Sequence, residues 1–258
     1  MPQTIPMRRC KMDSESMEIH PLGDLHVGSR EFDEPAYLRW RDMILSKQDR
    51  YVVLLGDIVD NSVKSSVGSP YDAVLQPREQ RIHAAELLAP IKDRIIAAVS
   101  GNHCYRTNKD TDTDPMEIVL SKLNLEHLYS PEMMYLYVSF PRPASHSVTP
   151  PQYTVLLTHG NSGGMLIGAG LNRMEPYAMA MGADLMITGH THKPSTAPLL
   201  RYVPNSRGVM TAREVRIMVC TGWLSYAGYP ARKMLRPVPI APNYAVLDGR
   251  EYKMRVVT

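Results

Sequence analysis

Cysteine is scarce in this chain. There are three, Cys10, Cys104 and Cys220, far apart, and no Cys-x-x-Cys occurs among the 258 residues. An odd, scattered set argues against a disulfide framework and against a structural zinc of the Cys-rich kind. No run approaches the ~18 consecutive apolar residues of a membrane span. The N-terminal stretch MPQTIPMRRCKMDSESMEIH lacks the apolar core of a secretory signal. These absences lead to the expectation of a cytoplasmic protein with no membrane attachment. Internal repeats, low-complexity segments and clear linkers are also missing. Residues 17–258 therefore read as one domain, with a loose polar extension over 1–16. Formal net charge is only +3 and names no partner. Its distribution is more informative. From Lys193 onward there are eleven Lys/Arg against three Asp/Glu, while the 192 residues before hold 18 basic and 23 acidic side chains. Such a segment is either a solvated basic face or a surface that attracts a polyanion.

What is present is an alternating pattern. MEIHPLGD, YVVLLGD and RIIAAVSGNH read as short buried strands running into turns. EPAYLRWRDMILSKQ and PREQRIHAAELLAPI have helical spacing between them. TDTDPMEIVLSKLNL opens a helix with Asp114 as cap and Pro115 in the first position. MMYLYVSFPR and YTVLLTHG are strands joined by a Pro-rich loop from Pro141 to Gln152. MLIGAGLNRMEPYAMAMG is helical, interrupted by Gly and Pro176, and ADLMITGHTHKPS is strand then turn. From Ala197 the chain reads as strands. Strand-helix alternation followed by a strand-rich tail predicts an α/β sandwich.

Five of the strand-ending turns carry metal-type ligands. They are GDLHVG (Asp24, His26), GDIVDN (Asp57, Asp60), GNHC (Asn102, His103), THGNSGG (His159) and GHTH (His190, His192). Ligands at the carboxyl ends of strands converge in such sheets. The glycines before Asp24, Asp57, Asn102 and His190 are expected to let the backbone turn sharply. Five of the nine histidines lie in these turns. His20, His83, His127 and His146 lie outside and read as structural. Hard oxygen plus imidazole suits Mn, with Fe, Zn, Ni, Co or Mg as alternatives. Seven or eight ligands exceed the needs of one ion and suit two, which in such sites lie ~3.5–4 Å apart.

The ordered series DxH, GDxxD, GNH, H, GHxH resembles that of the calcineurin-like metallophosphoesterase superfamily, over Asp24 to His192. The tail TGWLSYAGYPARKMLRPVPIAPNYAVL, and GNHCYR followed by DPME, look like those of phage and prophage members, which implies a bacterial or phage-infected host cell. The resemblance implies a four-layer α/β/β/α sandwich of two mixed sheets flanked by helices. It implies that Asp24, His26, Asp57 and His192 hold one ion and Asp57, Asn102, His159 and His190 a second. Hydrolysis would use a metal-bridging hydroxide, with His103 as acid to the leaving group. Asp60 is assigned to orienting a ligand. Arg106 and the Ser162-Gly163-Gly164 turn are candidates for contact with substrate phosphate.

Two departures from the family stand out. Many members place Asp or Glu after the GNH histidine, where this chain has Cys104. Three readings remain, namely an inert buried residue, a redox-sensitive position, or a mark of weakened acid catalysis, and the first is preferred. On that comparison Cys104→Glu keeps or raises turnover. Protein phosphatases continue GDxxD with Arg, where this chain has Asn61-Ser62. The expected function is a dinuclear phosphodiesterase acting on a phosphate ester, with nucleic acid preferred over a nucleotide. The alternatives are a phosphomonoesterase, a protein phosphatase, and a non-catalytic scaffold of the same fold.

Overall fold

The computed structural model describes residues 4–62, 73–142, 150–161, 164, 166–205, 207–232 and 234–258. Strands β2 (Ser16–Leu22), β3 (Arg50–Leu54) and β4 (Ile95–Val99) pair in parallel. With β5 (Tyr129–Ser130), β11 (Tyr244–Asp248) and β12 (Met254–Val257) they form one sheet, in the order β12-β11-β2-β3-β4-β5. The second sheet runs β1 (Met7–Lys11), β6 (Met133–Ser139), β7 (Gln152–Thr158), β8 (Leu185–Thr188), β10 (Met210–Val219), β9 (Ser195–Pro204). Both sheets mix parallel and antiparallel pairs.

Period-two alternation makes the layers. On β3 and the residue after it, Val52 and Leu54 face one cluster and Val53 and Leu55 another. The first cluster packs that sheet against α1 (Glu34–Leu45), α2 (Pro77–Leu88) and α4 (Pro115–Ser121), through Tyr37, Trp40, Leu88 and Val119. The second fills the space between the sheets, with Leu136, Val155, Leu157 and Ile187 opposing Ile19 and Val99. On β7 the intervening Leu156 turns outward to meet Met174 and Ala178 of α5 (Gly168–Met181). The four layers are therefore helices, sheet, sheet, helix, as expected. α5 runs through Pro176 rather than stopping there, its Met174 and Ala178 held against the sheet.

The loose extension expected over 1–16 is corrected. Met7–Lys11 is an edge strand, pairing in parallel with β6 from Met7 beside Tyr135 to Lys11 beside Ser139. Of the loop expected from Pro141 to Gln152, residues 143–149, His146 among them, lie outside the described residues. Asp114 caps α4, its carboxylate accepting from the Met116 amide at 2.8 Å. All three cysteines are free. Among the described residues no helix is long and apolar enough to cross a membrane.

Candidate metal centre

The parallel strands bring the five ligand-bearing segments to one edge. Asp24 and His26 follow β2, Asp57 follows β3, Asn102 follows β4, His159 follows β7, and His190 and His192 follow β8. Main-chain bonds lock these exits together across both sheets. Asp24 N–H donates to the Gly56 carbonyl at 3.1 Å, and His26 N–H to the Asp57 carbonyl at 3.0 Å. The His190 N–H of the other sheet donates to Asp24 Oδ2 at 2.8 Å.

Backbone strain is concentrated here. Asp24 (φ 54°), His26 (φ 51°), Asp57 (φ 49°), His190 (φ 69°) and His192 (φ 56°) are all left-handed. Each such residue costs about 1–3 kcal/mol and persists only because its surroundings over-determine it. The glycines beside them have a different job from the one expected. Of Gly23, Gly56, Gly101 and Gly189, only Gly56 has positive φ. The others make room: a Cβ on Gly101 would lie 2.1 Å from Asp57 Oδ1, and one on Gly189 2.7 Å from Asp24 Oδ2.

Two donor sets, Asp24-His26-His192 and Asp57-His159-His190, gather the expected ligands, and a third grouping, His26-Asp60-His103, shares His26 with the first. In the first, His192 Nε2 lies 3.3 Å from both Asp24 Oδ1 and His26 Nε2. In the second, His159 Nε2 lies 3.3 Å from Asp57 Oδ2, 2.9 Å from Asn102 Oδ1 and 3.2 Å from His190 Nδ1. Asn102 Oδ1 is also 2.9 Å from His190 Nδ1.

The chemistry of these sets fits divalent cations. His159 Nδ1 donates to the Leu55 carbonyl at 2.6 Å, so in the neutral ring Nε2 carries a lone pair aimed at two oxygens. That contact repels unless a positive charge intervenes. Burial lowers the His159 pKa, but the Asp57 charge outweighs it and lifts the imidazole to about 9. Burial likewise opposes protonation of His192, and Asp24 raises it. For Asp57, burial is outweighed by the His159 and His103 imidazoles, which hold the carboxyl well below its ordinary range. Asp24 is lowered too, burial being overcome chiefly by His192. His26 is driven down to about 3 by burial and then by His103, and burial and then His159 lower His190. Asp24 Oδ1 is buried with no hydrogen-bond partner. Ionised carboxylates that draw positive charge onto His159 and His192, beside His26 and His190 kept neutral and one carboxylate oxygen left unsatisfied, mark a place where a cation is favoured.

The Gly-Asn-His segment is not a turn. Asn102 and His103 open helix α3 (Asn102–Thr111), with Gly101 as cap. His103 N–H donates to Asp57 Oδ1 at 2.9 Å, and its Nε2 lies 3.9 Å from Asp57 Oδ2. Its Nδ1 donates to the Asp60 main-chain carbonyl. The Asp60 carboxylate stands 3.7 Å from His26 Nδ1 and 3.9 Å from His103 Nδ1, and accepts from Ser62 Oγ at 2.6 Å. Cys104 points the other way. It is 1 % exposed and shares the helix-side core with Met116, Val119 and Leu120. Arg106, one turn beyond His103, keeps a buried Nε with no hydrogen-bond partner. Ser162 and Gly163 lie outside the described residues. His20 pairs with Glu18 and His83 with Glu34, away from the centre.

A cavity of about 520 Å³ opens on this cluster, lined by His26, Asp57, His103, His190 and His192 on the metal side. Its lining also includes Lys193, Tyr226, Leu235 and Arg236, which no ligand motif identifies. The signal available in the sequence was the basic balance of the tail.

No match was found among curated proteins. A solved structure of a predicted phosphoesterase from Streptococcus pneumoniae is similar at 15 % identity and TM-score 0.38, covering 94 % of this chain and 90 % of its own. Vps29 of Chaetomium thermophilum is similar at 11 % identity and TM-score 0.32, covering 78 % of this chain and 98 % of its own. The model of the calcineurin-like phosphoesterase family matches residues 17–194. That span starts on β2, ends just past His192 and takes in both donor sets. A match over so much of the sequence decides the question: the chain belongs to the calcineurin-like phosphoesterase family.

Proposed function

We propose that this metal-dependent phosphoesterase is a dinuclear phosphodiesterase acting on nucleic acid. The observation that carries the reading is the meeting at one cavity of His103 and Arg106 with members of two donor sets, His26 and His192 of one and Asp57 and His190 of the other. Asp24, His26, Asp57 and His192 would hold one ion, and Asp57, Asn102, His159 and His190 the other. When bound, the ions supply Lewis-acid stabilisation of phosphoryl oxygens and acidify a water.

The remaining work falls to the chain's own groups. The Asp60 carbonyl can only accept, so His103 keeps its proton on Nδ1 and turns Nε2 toward the cavity. From there Nε2, when protonated, delivers a proton to the leaving oxygen. Arg106 lines the same cavity with a cationic fork that matches phosphate oxygens. The protein-phosphatase alternative is disfavoured by Asn61. It occupies the position of the phosphate-gripping arginine but is 2 % exposed, its main-chain N–H donating to Gln80 Oε1 at 2.7 Å and its Nδ2 to Thr107 Oγ1 at 2.5 Å. The scaffold alternative is disfavoured because the candidate ligands and His103 converge.

The test is a substrate panel with Mn, Mg, Zn, Fe, Ni and Co varied. It contains bis(4-nitrophenyl) phosphate, 4-nitrophenyl phosphate, and single- and double-stranded DNA. The diester is expected to turn over faster than the monoester, and Asp57→Asn to abolish both turnover and metal uptake. Full activity in Asp57→Asn sinks the mechanism. Failure to cut either form of DNA with Mn shifts the substrate to a small diester.

A further inference from the structure

The segment after β10 contributes much of the lining of the metal cavity, from Gly222 to Pro239. Two features of it are not explained by metal binding. One is apolar exposure: Tyr226 is 47 % exposed and Leu235 39 %, both within the cavity. Apolar surface kept open beside a polar centre suits a flat apolar group of the substrate. The other is a convergence of cations. Lys193 directly follows His192 and lines the cavity together with Arg236. The Lys193 ammonium is fixed by donating to the Gly164 carbonyl. Some other tail cations are neutralised: Arg213 Nε lies 2.8 Å from Asp184, and Arg216 pairs with Glu214. Lys193 and Arg236 have no such ion pair among the described residues.

We propose that this lining seats a nucleotide beside the linkage that is cut, with its base on Tyr226 and its phosphate between Lys193 and Arg236. The inference rests on the phosphodiesterase reading and narrows it to an unstacked strand or strand end bearing a second phosphate. Base stacking on an aromatic ring tolerates any base, and two converging cations suit a dianionic phosphate. The subsite would thus recognise nucleic acid without reading its sequence.

The test is calorimetric binding by the metal-loaded full chain. The probes are a thymidine dinucleotide with an uncleavable methylphosphonate linkage, with and without a 5′-phosphate. The 5′-phosphate is expected to tighten binding about tenfold at low salt. Lys193→Gln combined with Arg236→Gln reduces that gain below twofold and flattens the salt slope by about 0.7 for the phosphate lost. Tyr226→Ala weakens both probes about tenfold, whereas Tyr226→Phe, which keeps the ring, binds as the wild type. A phosphate gain that persists in the double variant overturns the subsite, as does wild-type affinity in Tyr226→Ala. Turnover of bis(4-nitrophenyl) phosphate is scored separately. If that is absent while the phosphate gain is lost in the double variant, the subsite stands and the diesterase reading fails.

Discussion

Cys104→Glu restores the carboxylate that many family members carry after the GNH histidine, and the structure predicts that it damages the protein. The thiol is 1 % exposed in a core of Met116, Val119 and Leu120. Burial, and then the charges of Asp114 and Asp57, push its pKa from 9.0 up to about 12. A rise of that size means the site penalises a negative charge by roughly 4 kcal/mol, at 1.36 kcal/mol per pH unit. A glutamate there either bears that penalty or stays protonated. At pH 7.5 protonating a carboxyl of ordinary pKa near 4.3 costs about the same 4 kcal/mol. The longer side chain adds roughly 1–3 kcal/mol of overpacking. Destabilisation of about 5–7 kcal/mol follows, and for a chain of this length a fall in Tm of 10 °C or more, at about 2–4 °C per kcal/mol. His103 should be indifferent to the change in kind, because the Asp60 carbonyl holds its Nδ1. Cys104→Ala is therefore expected to keep kcat/KM within about threefold while losing ~1–2 kcal/mol of stability. Thermal melts and diester turnover on the folded fraction check both variants. A Cys104→Glu protein as stable as wild type, with raised turnover, would refute the reasoning and place the side chain beside the imidazole.

Other predictions concern the metal site and the core. Gly101→Ala drives a Cβ to within 2.1 Å of Asp57 Oδ1, and displacement of that carboxylate is expected to cut kcat/KM about 100-fold, with lower metal content by elemental analysis. Chelating the ions should lower Tm, since ions at 100 times their Kd stabilise the fold by about 2.7 kcal/mol, and adding Mn back should restore it in a calorimetric scan. His20, buried and stacked on Tyr244 at 4.5 Å, has its pKa lowered by burial to about 4. The unfolded chain then binds a proton near pH 6.5 that the folded chain refuses. Wild-type stability accordingly falls as pH drops from 6.5 to 4, by about 3 kcal/mol from this group. Urea midpoints measured over that window should fall less steeply in His20→Gln.

Much of the centre was readable because its signals are local. A strand announces itself by four or five apolar residues, as in Val52–Leu55, and the ligands follow within a few positions. What was not readable depends on partners distant in sequence. The polar β1 gains its place from main-chain pairing with Tyr135–Ser139, which no side-chain pattern encodes. Gly101 resembles a turn residue until Asp57 is seen pressing on it. The basic tail was visible as a charge imbalance. Only its contacts separate Arg213, paired with Asp184, from Arg236, which lines the cavity.

The strained residues show why the centre needs so much of the fold. Five candidate ligands sit in left-handed backbone, at a cost of several kcal/mol in total if each costs about 1–3. The bonds that hold them there run between the exits of different strands, such as His190 N–H to Asp24 Oδ2 and His26 N–H to the Asp57 carbonyl. No single strand end could keep its ligands so placed. His103 follows the same logic: α3 carries it, and the turn after β3 orients it through the Asp60 carbonyl. A carboxylate on the adjacent residue is then unnecessary for orientation. Position 104 is left free to serve the core, and a cysteine fills it because it is small and apolar enough to pack under α3.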